Sequence, residues 1–167
     1  MSTTQWEAVL TMPVDKDRDH IQGPVDATVT LVQYGDYECP YCGEAYPIVK
    51  EVQARMGERL RFVFRNFPIS TSHPHAERAA EAAETAAAQG RFWEMHDTLY
   101  EHQRRLRDED LRAYAEQLEL DLDRFDKEMA EHVHAERIHE DFMSGGAKWR
   151  ERHPDLLHQP RAARRFL

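Results

Sequence analysis

The feature that most constrains this chain is the order of three stretches. An apolar run, Val29-Thr30-Leu31-Val32-Gln33-Tyr34, is broken by Gly35-Asp36, and Tyr37-Glu38-Cys39-Pro40-Tyr41-Cys42 then leads into a helical pattern. Ala27 to Tyr34 reads as a strand, rich in β-branched residues. From Cys39 to about Arg55 a helix follows, with Ile48, Val49 and Val52 on its apolar face and Gly57 as its C-cap. Pro47 falls inside it, removes one intrahelical hydrogen bond and is expected to kink it. Leu60 to Phe67 alternates apolar and basic residues and reads as a second strand, stopped by Pro68. Strand, helix, strand is a βαβ unit, so the two strands are expected to be parallel neighbours.

Cys39 and Cys42 are the only two cysteines in 167 residues. A buried strand that delivers the first cysteine of a C-x-x-C pair to a helix N-terminus is the context of a redox motif. Unpaired backbone N–H groups and the helix dipole favour an anion there, which stabilises a thiolate at Cys39. Cys42 lies about one helical turn further on, close enough to attack a mixed disulfide formed at Cys39. Pro40 suits the first turn, where its missing N–H removes no hydrogen bond. A zinc site is the competing reading. Structural zinc needs four ligands and the chain has no second cysteine pair, although His134 and His139 are spaced five apart. We therefore expect no metal, with a structural zinc or partner-binding module as the alternative.

Composition excludes several classes. The net charge is −9, from 31 acidic and 22 basic residues, which disfavours nucleic acid as a partner. Met1 to Trp6 shows neither a basic n-region nor an apolar h-region, and no apolar run is long enough to span a membrane. As written, the chain is expected in the cytoplasm, where a C-x-x-C pair is catalytic or redox-sensing more often than structural. A periplasmic or other extracytoplasmic location stays open through a signal upstream of Met1.

Residues 1–26 read as a leader segment, with Asp19 to Pro24 as a turn-rich lead-in. After Pro68 the pattern is helical: Ala76 to Gln89 closing at Gly90, Phe92 to Tyr100, Leu111 to Leu118 capped by Asp108, a helix opened by Asp121 or Asp123 through Met129, and His134 to Phe142. The aromatic and methionine stripe of Phe92 to Tyr100 reads as core, and the acidic residues mostly as solvated helix faces. His73-Pro74-His75 reads as a turn before a helix, and His132-Val133-His134 as a charged helix surface, rather than as ligand sets.

Four segments together carry a family resemblance: Tyr34 to Gly43, Phe62 to Pro68, His73 to Ala76, and Gln89 to His96. The series resembles the DsbA-like thiol–disulfide oxidoreductases and covers about residues 19–145. The resemblance implies an α/β, thioredoxin-like fold with an inserted α-helical domain, divided as βαβ half 27–72, helical insertion 73–143 and divergent tail 144–167. It implies that Cys39 is the exposed nucleophile and Cys42 the buried resolving thiol. Protein or peptide thiols and disulfides would then be the substrates, and the redox-active disulfide would serve in place of a cofactor. Many thioredoxin-like proteins carry a buried acid six residues before the nucleophile, where this chain has Gln33. An amide cannot take the proton of Cys42, which leaves water, Asp36 or Glu38. Both acids are expected to face solvent and to oppose a thiolate at Cys39. Pro40 and Tyr41 complete the motif.

The resemblance stops after Gly145. Residues 146–167 hold six basic and two acidic residues, leaving +4 there and −13 on the remainder of a chain whose total is −9. The tail contains no Val, Ile, Thr or Tyr and is poor strand material. The family implies two more strands here, the first opening with a Thr-Pro whose proline is cis. Reading the codons of Ala147 to Pro160 one base later permits Arg-Ser-Gly-Val-Asn-Gly-Thr-Pro-Thr-Phe-Phe-Ile-Asn, which is that missing segment. A one-base insertion near the Gly145-Gly146 codons accounts for both facts, and implies a sheet whose C-terminal strands are missing or replaced and a tail that is disordered or loosely helical. An impaired or inactive family member is the corresponding alternative function.

Overall fold

The computed structural model describes residues 10–152, with side-chain surroundings through 146. Its sheet has three strands among the described residues, β1 (His20–Gln22), β2 (Val29–Gly35) and β3 (Leu60–Asn66), in the order β1-β3-β2. β2 and β3 are parallel, from Val29 opposite Leu60 to Gly35 opposite Asn66, as the βαβ reading requires. Helix α1 (Pro40–Met56) is their crossover, with Pro47 inside it and Gly57 capping it at φ 52°. The positive φ explains the glycine, because a Cβ there would be strained.

Strand β1 corrects the turn-rich lead-in expected over Asp19 to Pro24. It runs antiparallel to β3, with His20 opposite Phe64. Three residues carry no readable alternation, and long-range side chains hold them instead. The His20 ring stacks on Phe92 with centroids 3.4 Å apart, and its Nε2 lies 2.9 Å from Glu84 Oε1. Next to it, Asp19 pairs with Arg65, whose guanidinium also donates to the Met12 and Pro13 carbonyls and is fully buried.

Five helices follow β3: α2 (Ala76–Ala87), α3 (Phe92–Glu101), α4 (Asp108–Gln117), α5 (Leu122–Ala130) and α6 (Ala135–Arg152). Ala76, Ala79, Ala80, Ala82, Ala83 and Ala86 are all buried on α2, whose small side chains let the neighbouring helices approach closely. The stripe on α3 is core: Phe92, Met95, His96, Leu99 and Tyr100 are buried. Asp121 caps α5 by accepting from the Arg124 amide at 3.0 Å. Asp108 is not the cap of α4 but its first residue, with Arg107 at the cap position.

Most acidic residues lie on solvated faces as expected, but three helical ones do not. Glu81, Glu84 and Asp141 are buried. Each has partners that replace water: Glu81 has Arg78 and His132, Glu84 has His20 and Asn66, and Asp141 has Arg18 and the Asn66 amide. Burial pushes the Glu84 carboxyl up, but the His20 hydrogen bond and charge outweigh it and hold the group below its ordinary range.

Helix α6 runs through Gly145 and Gly146, so the backbone does not break where the resemblance ends. Gly145 has a packing reason: a Cβ there would come within 2.7 Å of the Tyr34 ring and 2.9 Å of Phe67. The helix docks by stacking Phe142 on Phe67 at 4.6 Å and by the Tyr34–Ser144 hydrogen bond at 3.0 Å. Residues 153–167 of the expected tail lie outside the described residues.

Candidate active site

Cys39 occupies the N-cap position of α1, with φ −72° and ψ 121°, and Pro40 follows as the first helical residue. The Cys39 carbonyl accepts from the Gly43 amide at 3.1 Å, which closes the turn that brings Cys42 back over Cys39. Both cysteines are free thiols and both are half-buried, which corrects the expectation of an exposed Cys39 and a buried Cys42. Pro40 is exposed, and Tyr41 stands 80% exposed beside them.

The two thiols are unequal. Burial pushes the Cys42 thiol up to about 11. A hydrogen bond with the Asp36 backbone works against that rise, while negative charge at Cys39 and Asp36 adds to it. At neutral pH Cys42 therefore holds its proton while the pair is reduced.

Asp36 is the main correction at the site. It was expected to face solvent and is only 3% exposed. Its Oδ1 accepts from the Glu38 amide at 2.8 Å and the Cys39 amide at 3.2 Å. Its Oδ2 accepts from the Ile69 amide at 2.8 Å and lies 2.7 Å from His73 Nδ1. Four partners from two chain segments replace water around the carboxylate, so it organises the turn before Cys39. Glu38, half-buried, accepts from the His75 amide at 2.6 Å and faces His75 Nδ1 at 2.8 Å. The acids at 36 and 38 thus meet the histidines at 73 and 75 as hydrogen-bond partners, which ties the turn before Cys39 to the segment before α2. Equal spacing of the two pairs was visible in the sequence and could have suggested the match.

Gln33 lies in β2 opposite Phe64, half-buried, and among the described residues no hydrogen bond ties its side chain to the cysteines. The sequence reading missed Gln103, just beyond α3. Its Nε2 donates to the carbonyls of Tyr37 and Cys39, both at 2.9 Å, and its Oε1 lies where a Cβ on Gly43 would stand. The helical region thereby holds the redox turn from behind, and the residue after Cys42 must be glycine for the side chain to fit. Deeper in, the Tyr37 hydroxyl donates to His96 Nδ1 at 3.0 Å. Burial drives His96 down to about 3, so its ring is neutral and can accept that bond. Among the described residues no group of three His, Cys, Asp or Glu side chains is placed to hold a metal ion.

Comparison with known proteins supports the fold. The fold is similar to a thioredoxin-like oxidoreductase from Silicibacter pomeroyi, with a TM-score of 0.67 and 23% identity over 83% of this chain and 79% of that one. It is also similar to the thiol-disulfide exchange protein alpha-DsbA2 from Wolbachia pipientis, with a TM-score of 0.64 and 19% identity over 84% and 72%. Among curated proteins, the Na(+)/H(+) antiporter NhaA 1 of Salinispora arenicola is 54% identical over 132 residues, covering 79% of this chain and 20% of that protein. The chain thus spans about a fifth of the length of that curated relative. The sequence profile of the thioredoxin family matches residues 15–153. The chain belongs to the thioredoxin family, with a fold of the DsbA-like kind.

Proposed function

We propose that this chain is a thiol–disulfide oxidoreductase acting on protein or peptide substrates through Cys39 and Cys42, with no cofactor beyond their own disulfide. The observation that carries this reading is the asymmetry of the pair: Cys39 at a helix N-cap with Asp36 and Gln103 fixing its backbone, Cys42 behind it with its proton held. In the oxidising direction, a substrate thiolate attacks the Cys39 sulfur of the disulfide. The Cys39–Cys42 bond breaks and Cys42 leaves with its electron pair, then takes up a proton. A second substrate thiolate attacks the mixed disulfide and Cys39 leaves as thiolate, so two electrons pass from the substrate dithiol to the pair. Reduction of a substrate disulfide is the same sequence reversed. Cys39→Ser is expected to abolish exchange with a dithiol peptide, and Cys42→Ser to accumulate the mixed disulfide at Cys39. Undiminished exchange in Cys39→Ser overturns the reading.

The antiporter name of the curated relative describes a protein about four times as long as this chain, of which the match covers 20%. Among the described residues no helix is long and apolar enough to cross a membrane. We assign to this portion thiol chemistry beside such an antiporter, and ion movement to the remaining four fifths. Transport by the full-length relative, compared with and without the segment that aligns with this chain, tests that assignment: unchanged transport keeps it and abolished transport overturns it.

A shifted reading frame is the second part of the proposal. The family match ends at residue 153, where the shifted codons begin to permit Thr-Pro. Sequencing the gene decides it, since a frame that does not encode Thr-Pro-Thr-Phe-Phe removes the idea. If it holds, restoring the frame is expected to raise both the melting temperature and the exchange rate, and unchanged values would show that the tail is not damage.

A further inference from the structure

Tyr100 carries a buried polar group that the chemistry above leaves unused. The residue is 6% exposed, and among the described residues its hydroxyl has no hydrogen-bond partner. Its ring is held firmly, stacked on Tyr46 at 5.3 Å, tilted against Tyr37 at 4.9 Å and edge-on to His96 at 5.0 Å. That packing aims the hydroxyl over Gly35, where a Cβ would come within 2.6 Å of the oxygen. Gly35 immediately precedes Asp36, whose carboxylate accepts from the Cys39 amide, and Cys42 itself packs against the cluster containing Tyr100.

A buried hydroxyl without a partner is costly, so its retention calls for a state in which it is paired. Tyr46, on which the Tyr100 ring stacks, lies four residues after Cys42 on α1 and so shares its helix face, which sets Tyr100 beside Cys42. Burial pushes the ionisation of Tyr100 well above the ordinary tyrosine range, which leaves it a donor and not a base. The other groups around it are committed. Asp36 has four partners, the Tyr37 hydroxyl donates to His96, and the Tyr46 hydroxyl is 3.4 Å from Glu101. Tyr100 is therefore the donor with capacity to spare next to the pair.

We propose that Tyr100 is a positioning residue whose hydroxyl donates a hydrogen bond to the Cys42 sulfur whenever that sulfur is a thiolate. This rests on the dithiol reading given above. The thiolate arises when the Cys39–Cys42 bond breaks and Cys42 keeps the electron pair, and again when Cys42 loses its proton to attack a mixed disulfide at Cys39. Tyrosine keeps its own proton in both steps. It lowers the charge cost of the thiolate in a half-buried place where Gln33 supplies no ionisable acid.

The test uses Cys39→Ala, so that Cys42 is the sole thiol, with and without Tyr100→Phe, which removes the hydroxyl and keeps the ring. Alkylation of Cys42 by iodoacetamide is followed against pH. The midpoint is expected to rise by about one to two pH units in Tyr100→Phe, slowing alkylation roughly ten-fold or more at a fixed pH below it. The melting temperature is expected to stay the same or rise, because no folded-state hydrogen bond is lost. Tyr46→Phe, which removes the hydroxyl on the far side of the same stack, is expected to leave the midpoint in place. An unmoved midpoint in Tyr100→Phe overturns the proposal, whatever the melting temperature does, and so does an equal shift in both variants. Alkylation needs no substrate, so a chain that fails to exchange disulfides yet shows the Tyr100 shift refutes the proposed function and keeps this inference.

Discussion

The helical region and the strand–helix–strand region are built to different standards of burial. In the first, Leu99, Leu111, Ala115 and the α2 residues Ala76, Ala79, Ala82, Ala83 and Ala86 have no measurable exposure, and Phe125 and Tyr114 are buried with them. In the second, β3 is buried, yet α1 contains no buried residue along its whole length. Ile48 of the expected apolar face is 61% exposed, and Val49 and Val52 are only half-buried. The redox turn sits at the start of that thinly covered helix, and what fixes it comes from elsewhere: Gln103 beyond α3, His73 and His75 before α2. The helical region thus supplies both the core and the props for the site, and α1 carries the cysteines at a lower level of enclosure.

The contrast is broken or kept most directly by paired truncations. Leu99→Ala is expected to cost about 2–5 kcal/mol, as removal of a fully buried leucine from a close-packed core does. Val52→Ala, on the half-covered face of α1, is expected to cost well under half of that. Urea unfolding followed by circular dichroism measures both. Equal losses would mean that α1 is as enclosed as α3, and the comparison would fall.

The same contrast explains which parts could be read in advance. The β2–α1–β3 unit was legible because its signals are local: a β-branched run, Gly35 and Gly57 as punctuation, Pro68 as a stop. Cys39 and Cys42 were legible for the same reason, since their spacing fixes their relation on any helix. β1 was not, because His20 is a strand residue only by virtue of Phe92 and Glu84, 72 and 64 positions away. Burial of Asp36 depends on the Ile69 amide and on His73, 33 and 37 residues further along, so local reasoning placed it in solvent. Gln103 and Tyr100 reach the site only through the docking of α3, which no pattern near the cysteines announces.

A sharper probe of the helical core is the pH dependence of stability. His96 is buried and neutral, with its folded value at about 3 against an ordinary 6.5. Between those values the unfolded chain binds the proton and the folded chain does not, so stability rises with pH across that window and is flat above it. Acidification from pH 6.5 to about 5 is expected to remove about 2 kcal/mol through this one group. Asp19 and Glu84, both held below the ordinary carboxylate range, act in the same direction at lower pH, their contribution being lost as pH falls through their folded values. His96→Leu is expected to flatten the upper part of that slope, even though the Tyr37 hydroxyl loses its acceptor and overall stability drops. A slope unchanged in His96→Leu would place the titrating group outside the helical core.

The smallest effect is expected at Ile48, and it is the one that most finely measures the cover on α1. At 61% exposure the side chain has little water left to regain on unfolding, so Ile48→Ala forfeits only a small transfer term. Alanine is also the better helix former, which offsets part of that loss. The net change in unfolding free energy is expected to stay within about 0.5 kcal/mol, as for other surface substitutions. A loss of about 2 kcal/mol or more would show that something covers this face in solution, and a dependence of that loss on protein concentration would identify the cover as a second copy of the chain.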